Sequence, residues 1–178
     1  MSDAMIAPGG RIGILGGGQL GRMIAMAAAR LGLTVHIYAP DAEPPAGQVA
    51  AAVTRAAWED EAALRAFAAS VDVVTYEFEN IPLRTAEILA PLVPLRPGIA
   101  ALKAAQDRIE EKTFLQSIGL TVAPFAAVDG LDDLRAALDA IGTPAILKTR
   151  RMGYDGKGQV RINDAAEAEA AIAAVAGA

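Results

Sequence analysis

Cysteine is absent from the 178 residues, which removes disulfide frameworks, thiol nucleophiles and cysteine-ligated zinc from consideration. Histidine occurs once. That residue, His36, lies inside the β-branched stretch TVHIY at 34–38 and reads as a strand residue rather than a catalyst. Aromatic side chains make up only 4% of a chain that is 53% hydrophobic, so the apolar mass is alanine and short aliphatics, which favours helices packed closely on a sheet. A basic excess is missing too. With 16 Lys and Arg against 21 Asp and Glu the formal net charge is −5, the wrong sign for the electrostatic footprint of a nucleic-acid binder. No apolar run reaches the length of a bilayer crossing, and residues 1–10 lack a basic segment followed by a hydrophobic one. The expectation is a soluble cytoplasmic protein without nucleic-acid or membrane partners. Its length and apolar content suffice for a real core.

Short β-branched runs alternate with alanine-rich helical runs through the first hundred residues. Strands are expected at 11–15, 34–38, 53–56 and 72–78, with helices at 19–31, 59–69 and 83–92 between them. That alternation predicts a parallel sheet of the Rossmann-like type, with ligands at the carboxyl ends of its strands. The proline-rich stretch PLVPLRP at 91–97 ends this first domain, expected over 1–97. A helical run at 98–118 and a linker at 120–128 follow. Then come a helix at 131–141, a strand at 145–149, a glycine loop, a strand at 159–162 and a helix from 164 onward. This second, α+β piece, 98–178, has no further strand to complete its sheet, and the polypeptide is expected to be cut off there.

Two glycine-rich segments carry the chemistry. The first, RIGILGGGQLG at 11–21, hands a strand over to a helix. Glycines there let the backbone turn sharply and approach an anion, while the free amides of the helix start point positive charge at it. The spacing is not a clean G-x-G-x-x-G, so a phosphate-bearing ligand and a plain tight turn both remain open. The second, KTRRMGYDGKGQ at 148–159, describes a mobile hairpin between two strands, unlike a Walker loop that opens a helix. Backbone amides and a cation in such a flap suit closure over a triphosphate; the plainer reading is a glycine-rich hairpin with a basic surface.

Four motifs in order, GGGQLGRM at 16–23, TYEFENIP at 75–82, QDRIEEKTFL at 106–115 and KTRRMGYDGKGQ at 148–159, resemble the N5-carboxyaminoimidazole ribonucleotide synthase family of the ATP-grasp superfamily. They cover nearly the whole chain. The resemblance implies a Rossmann-like pre-ATP-grasp domain followed by part of the small α+β ATP-grasp lobe. It also implies a purine-biosynthetic ligase that uses ATP to activate bicarbonate as carboxyphosphate and carboxylates the amine of 5-aminoimidazole ribonucleotide.

On this likeness the amides of Gly17, Gly18, Gln19 and Leu20 suit the substrate's 5-phosphate, so the first loop would hold substrate and not a dinucleotide. Glu77 and Glu79, two apart at the end of the fourth strand, are expected to face the same side, and Glu77 is favoured to accept from ribose hydroxyls. Arg108 and Lys148 match cations placed on the ATP phosphates. As bare sequence, Arg108 also reads as a surface residue pairing with Asp107 or Glu111. Gly153, Gly156, Gly158 and Gln159 would lie on those phosphates, with Tyr154, Asp155 and Lys157 reaching toward the aminoimidazole and the carboxyl donor. Asp155 is the candidate base. Two positions depart from the family pattern: Met152 stands where a further glycine is usual, and Lys157 replaces an arginine, keeping charge without bidentate geometry.

Magnesium ligands are expected in the missing C-terminal lobe, since Asn163, Asp164, Glu167 and Glu169 sit at a helix start as caps; no metal site is expected in this chain. The 178 residues alone are expected not to turn over, and the whole enzyme is expected to be a homodimer. Two other readings stay in play: a different ATP-grasp carboxylase or ligase, and a non-enzymatic module binding a dinucleotide through the first loop, with Asp41 on its ribose.

Overall fold

The computed structural model describes residues 5–153 and 156–176. They fall into two compact units, 1–103 and 104–178. In the first, β1 (Arg11–Leu15), α1 (Gln19–Arg30), β2 (Thr34–Ala39), β3 (Ala52–Arg55), α2 (Glu61–Ala69), β4 (Val73–Tyr76) and α3 (Leu83–Leu89) alternate as the periodicity predicts. All pairings are parallel and the strand order is β3-β2-β1-β4. Because β2 and β3 lie on one side of β1 and β4 on the other, the order reverses between β1 and β4. In open α/β sheets the carboxyl edge at such a reversal is where ligands bind.

Successive residues of a strand point to opposite faces, and the core divides accordingly. Ile14 and Ile37 join Ala25, Ala28, Val35 and Ala39 in one cluster on the α1 side. Their neighbours Leu15 and Tyr38 join Leu64, Phe67, Val74, Ile81 and Leu89 in the other. The small side chains of α1 keep that helix close to the sheet, while Phe67 supplies bulk on the opposite face, edge-on to His36 at 4.9 Å and to Tyr38 at 5.3 Å between ring centroids.

His36 is a strand residue, as expected, and is almost fully buried. Its Nδ1 lies 2.8 Å from Ser70 Oγ and its Nε2 2.9 Å from Thr54 Oγ1. The Ser70 hydroxyl donates to the Phe67 carbonyl at 2.7 Å, so its lone pair must accept from Nδ1–H, leaving Nε2 to accept from Thr54. Burial, with a smaller contribution from the Arg11 charge, lowers the His36 pKa below its usual 6.5.

Several element ends shift by a few residues, α3 for one stopping at Leu89 rather than 92, and two departures bear on the sites. Strand β4 stops at Tyr76 rather than 78. Its pairing partner β1 ends at Leu15 and turns away at Gly16, whose φ is +99°, so the ladder has nothing to continue along after the Glu77 N–H reaches the Leu15 carbonyl at 3.1 Å. Glu79 therefore lies in a turn, bonded to Asn80 Nδ2 at 3.1 Å, and the two-residue alternation that paired it with Glu77 does not extend to it. The helical run 98–118 is two helices, α4 (Ile99–Gln106) and α5 (Arg108–Ser117), divided at Asp107, whose φ of −127° is extended. A short acceptor side chain at this position caps the second helix instead of continuing the first.

In the second unit α5 is followed by α6 (Leu131–Ile141), the antiparallel pair β5 (Ala145–Lys148) and β6 (Gln159–Ile162), and α7 (Ala168–Ala176). Leu134 and Leu138, one helical turn apart on α6, pack with Ile162, Ala168 and Ala171.

Candidate functional site

The first intrahelical bond of α1 runs from the Arg22 N–H to the Gly18 carbonyl at 3.1 Å, so the amides of Gly18, Gln19, Leu20 and Gly21 have no partner within the helix. Gly18, as N-cap, has no side chain to offer them. Glu77 takes the capping role from 59 residues away: the Gly18 N–H donates to its Oε1 and the Gly21 N–H to its Oε2, both at 2.5 Å. A methyl group on Gly16 would come within 2.6 Å of Glu77 Cγ, on Gly18 within 2.9 Å of Oε1, and on Gly21 within 3.0 Å of Oε2. Three glycines of the run thus make room for one carboxylate. Gly17 answers to another neighbour, since a methyl there would lie 2.3 Å from Pro44 Cβ. The amides of Gln19 and Leu20 make no bond among the described residues.

Beside this loop is a cleft of about 320 Å³ bordered by Asp41, Glu43, Trp58, Glu77 and Phe78 together with the loop glycines. The rings of Trp58 and Phe78 are 6.1 Å apart at 59°. Glu43, Trp58 and Phe78 were not singled out by motif reading. The signal available for them was topological: each follows the carboxyl end of β2, β3 or β4, which is the edge that the parallel order designates.

The second unit holds a larger pocket, about 540 Å³, whose lining includes Arg108, Lys112, Phe125, Lys148 and Thr149. Arg108 and Lys148, expected on ATP phosphates, thus share one cavity. Lys148 closes β5, and Arg108 is the first residue of α5 behind the Asp107 cap, which accepts from the Ile109 and Glu110 amides at 2.8 and 3.4 Å. Lys112, one turn further on, places Nζ 5.4 Å over the Phe125 ring, a cation–π distance.

Segment 106–108 is stitched to the root of the second glycine loop. The Arg108 N–H donates to the Arg150 carbonyl at 3.0 Å and its guanidinium to the Gly153 carbonyl at 3.0 Å. Arg150 pairs with Asp107 at 2.8 Å, and Arg151 donates to Gln106 Oε1 at 2.9 Å. Burial by itself would raise the Asp107 pKa, but the hydrogen bond from Arg150, the two amides and the guanidinium charge outweigh it and hold the carboxyl below its usual 3.8.

The antiparallel register sets Lys148 opposite Gln159. Just inside, the Thr149 N–H donates to the Gly158 carbonyl at 2.8 Å. A methyl on Gly158 would lie 2.5 Å from Thr149 Oγ1 and one on Gly153 3.0 Å from it, so both glycines accommodate the threonine side chain. Gly156 and Gly158 adopt φ of +81° and +64°. Met152 adopts +64°, the left-handed conformation that glycine takes without penalty, and this is a physical reason for the glycine that the family pattern usually has there. Lys157 and Gln159 are exposed. Tyr154 and Asp155 lie outside the described residues, where the expectations for them stay as stated.

A glycine loop at the reversal point of a parallel sheet, followed by a glycine hairpin beside a cation-lined pocket, is the architecture of an ATP-grasp protein with its preceding pre-ATP-grasp domain. The chain belongs to the family of the ribonucleotide synthetase pre-ATP-grasp domain, whose model matches residues 10–106; the ATP-grasp domain model matches 113–178.

Over 170 residues the chain is 51% identical to the N5-carboxyaminoimidazole ribonucleotide synthase of Brucella melitensis, a match covering 96% of this chain and 47% of that protein. The solved structure of an N5-carboxyaminoimidazole ribonucleotide synthetase in complex with ADP superposes with a TM-score of 0.90 at 40% identity, covering 98% of this chain and 47% of that one. The Aspergillus clavatus synthase in complex with ADP and 5-aminoimidazole ribonucleotide gives a TM-score of 0.80 at 27% identity, covering 94% and 44%. The chain spans about half the length of these relatives. They do not favour the dinucleotide-binding alternative.

Proposed function

We propose that these residues supply the substrate-binding domain and part of the nucleotide-binding lobe of an ATP-dependent carbon–nitrogen ligase, which carboxylates 5-aminoimidazole ribonucleotide with bicarbonate in purine biosynthesis. In that reaction the γ-phosphoryl group of ATP passes to bicarbonate, giving carboxyphosphate and ADP. The exocyclic amine then attacks the carboxyl carbon, phosphate leaves, and the amine's proton goes to a base. The product is the N5-carbamate.

The observation that carries this reading is the match over 96% of the chain to a synthase of that name, joined to the glycine loop at the β1/β4 reversal. Of the amides at 17–20, that of Gly18 already donates to Glu77, and those of Gly17, Gln19 and Leu20 are assigned to the substrate's 5-phosphate. The Glu77 side chain has acceptor sites beyond the two that the loop occupies, and these are assigned to ribose hydroxyls. Arg108 and Lys148 are assigned to ATP phosphates, where fixed positive charge is the main assistance a protein gives to phosphoryl transfer. Gly153, Gly156, Gly158 and Gln159 are assigned to the same phosphates, Tyr154 and Lys157 to the aminoimidazole and carboxyl donor, and Asp155 to the amine's proton.

Among the described residues no cluster of three or more His, Asp or Glu is arranged to hold a metal ion. On the family resemblance, the magnesium that accompanies ATP is assigned to the half of the relatives that this chain does not span. A cytoplasmic homodimer is proposed for the whole enzyme; no described helix is long and apolar enough to cross a membrane.

Thermal unfolding with ligands tests the substrate assignment. A ligand at a hundredfold excess over its Kd stabilises by about 2.7 kcal/mol. 5-Aminoimidazole ribonucleotide and ribose 5-phosphate are expected to raise the melting temperature and NAD to leave it unchanged. No shift with either phosphate-bearing ligand refutes the assignment.

A further inference from the structure

We propose that Glu77 is a permanent internal ligand of the glycine loop: a positioning residue that holds the Gly18 and Gly21 amides in every state of the site and leaves Gln19 and Leu20 as the two helix-start amides that meet a phosphate. The division of the amides rests on the phosphate reading above; the role of Glu77 in the loop does not.

The geometry comes from the sheet. Register pairs Leu15 with Tyr76, and the Glu77 N–H extends that ladder to the Leu15 carbonyl at 3.1 Å. The backbone of Glu77 is thus fixed one step beyond the last pair, alongside the point where the chain leaves β1 for α1. From there its two oxygens take two different amides, three residues apart, and bridge the first turn of the helix. A carboxylate serves better than a neutral cap, because it also offsets the positive end of the helix dipole. The fit is exclusive on the loop side, since side chains at Gly16, Gly18 or Gly21 would displace it. A residue whose sole duty was to meet a sugar hydroxyl in an open cleft would need none of these three glycines.

One negative charge already seated at the helix start also shapes what binds next. A phosphate meeting the Gln19 and Leu20 amides would do so beside the Glu77 carboxylate, which already holds the Gly18 and Gly21 amides. A sugar with free hydroxyls suits the remaining lone pairs of that carboxylate, and a second phosphate is repelled.

The test is amide hydrogen exchange by NMR on the ¹⁵N-labelled chain, compared with Glu77→Ala and Glu77→Gln. In the unsubstituted chain Gly18 and Gly21 are expected to exchange at least about tenfold more slowly than Gln19 and Leu20. Glu77→Ala is expected to abolish that difference, and formate to restore part of it by filling the vacated space. Should Glu77→Ala fail to fold, Glu77→Gln keeps the volume and one acceptor oxygen and is expected to release one of the two glycine amides. Equal exchange at all four positions in the unsubstituted chain overturns the proposal, as does exchange at Gly18 and Gly21 that neither substitution changes. Ribose 5-phosphate is expected to shift the Gln19 and Leu20 resonances. Its failure to do so, with the Glu77 effects intact, refutes the phosphate reading and the amide division while leaving the loop role standing.

Discussion

Asp107 does two separable things, and a double-mutant cycle with Arg150 resolves them. As N-cap it accepts the Ile109 and Glu110 amides through Oδ1, a contribution of about 1 kcal/mol. As ion-pair partner it receives Arg150 Nη2 at 2.8 Å and Nε at 3.0 Å on Oδ2. The Asp107 side chain is 16% exposed but that of Arg150 is 47% exposed, so water screens the pair and its share is set at about 0.5–1 kcal/mol. Asp107→Ala, losing both, should cost about 1.5–2 kcal/mol. Asp107→Asn keeps an oxygen for the amides and should cost only the second part. Arg150→Ala should cost the same as Asp107→Asn, and the two together no more than either alone.

Hydrogen exchange at the Ile109 amide reads the cap directly, and that at the Arg108 amide, which donates to the Arg150 carbonyl, reads the clamp. Because the folded Asp107 pKa is depressed, this stability is present above the unfolded value of 3.8 and is lost as pH falls through the lower folded value. Additive costs for Asp107→Asn and Arg150→Ala, or a coupling that persists in strong acid, refute the account. The functional stake is Arg108, the first helical residue behind the cap. Any loosening moves the guanidinium assigned to ATP.

Three further perturbations follow from the same geometry. The fold selects neutral His36, with its pKa lowered by burial and then by Arg11, so stability is full above the unfolded value near 6.5 and falls as pH drops below it; melting temperatures over roughly pH 5 to 8 should show a slope that His36→Phe removes. Met152→Gly relieves a left-handed φ of +64° and should leave the second unit unchanged or more stable by about 1 kcal/mol; a loss of that size in urea unfolding refutes the strain. Gly13→Ala sets a methyl 2.6 Å from Phe67 Cζ and 3.1 Å from Val71 Cγ2, overpacking that should cost about 1–3 kcal/mol, seen as a lower urea midpoint with an unchanged slope.

The strands were readable because a sheet covered on both faces writes itself as short β-branched runs, and the order of elements follows from their alternation with helices. What failed was local bookkeeping at the edges. Strand β4 stops where its neighbour turns away, a fact about Gly16 and not about the residues of β4. Asp107 breaks a run that is helical by composition on both sides, because its side chain finds two amides ahead of it and a guanidinium 43 residues downstream. The cleft residues Glu43 and Trp58 belong to no motif, and Phe78 sits in one without standing out there; the rule about strand ends is what points to all three.

The two glycine segments show why a motif underdetermines its cause. A glycine run after a first strand is compatible with an anion brought by a ligand and with an anion brought by the chain itself, since both need bare amides and an absent Cβ. In the first loop the chain brings its own, from Glu77. In the second, Gly153 and Gly158 give way to Thr149. Glu77 lies 59 residues from Gly18, so no short window of residues reveals it, and Thr149, though inside the second motif, is not marked by it as the glycines' neighbour. This separates two questions that a motif merges. Why glycine stands at Gly16, Gly18, Gly21, Gly153 and Gly158 is answered within the protein. What binds is carried by the groups left over: the Gln19 and Leu20 amides at one site, and the Arg108 and Lys148 cations at the other. Substitutions at the glycines should therefore damage the fold before they damage affinity, and those at the cations the reverse.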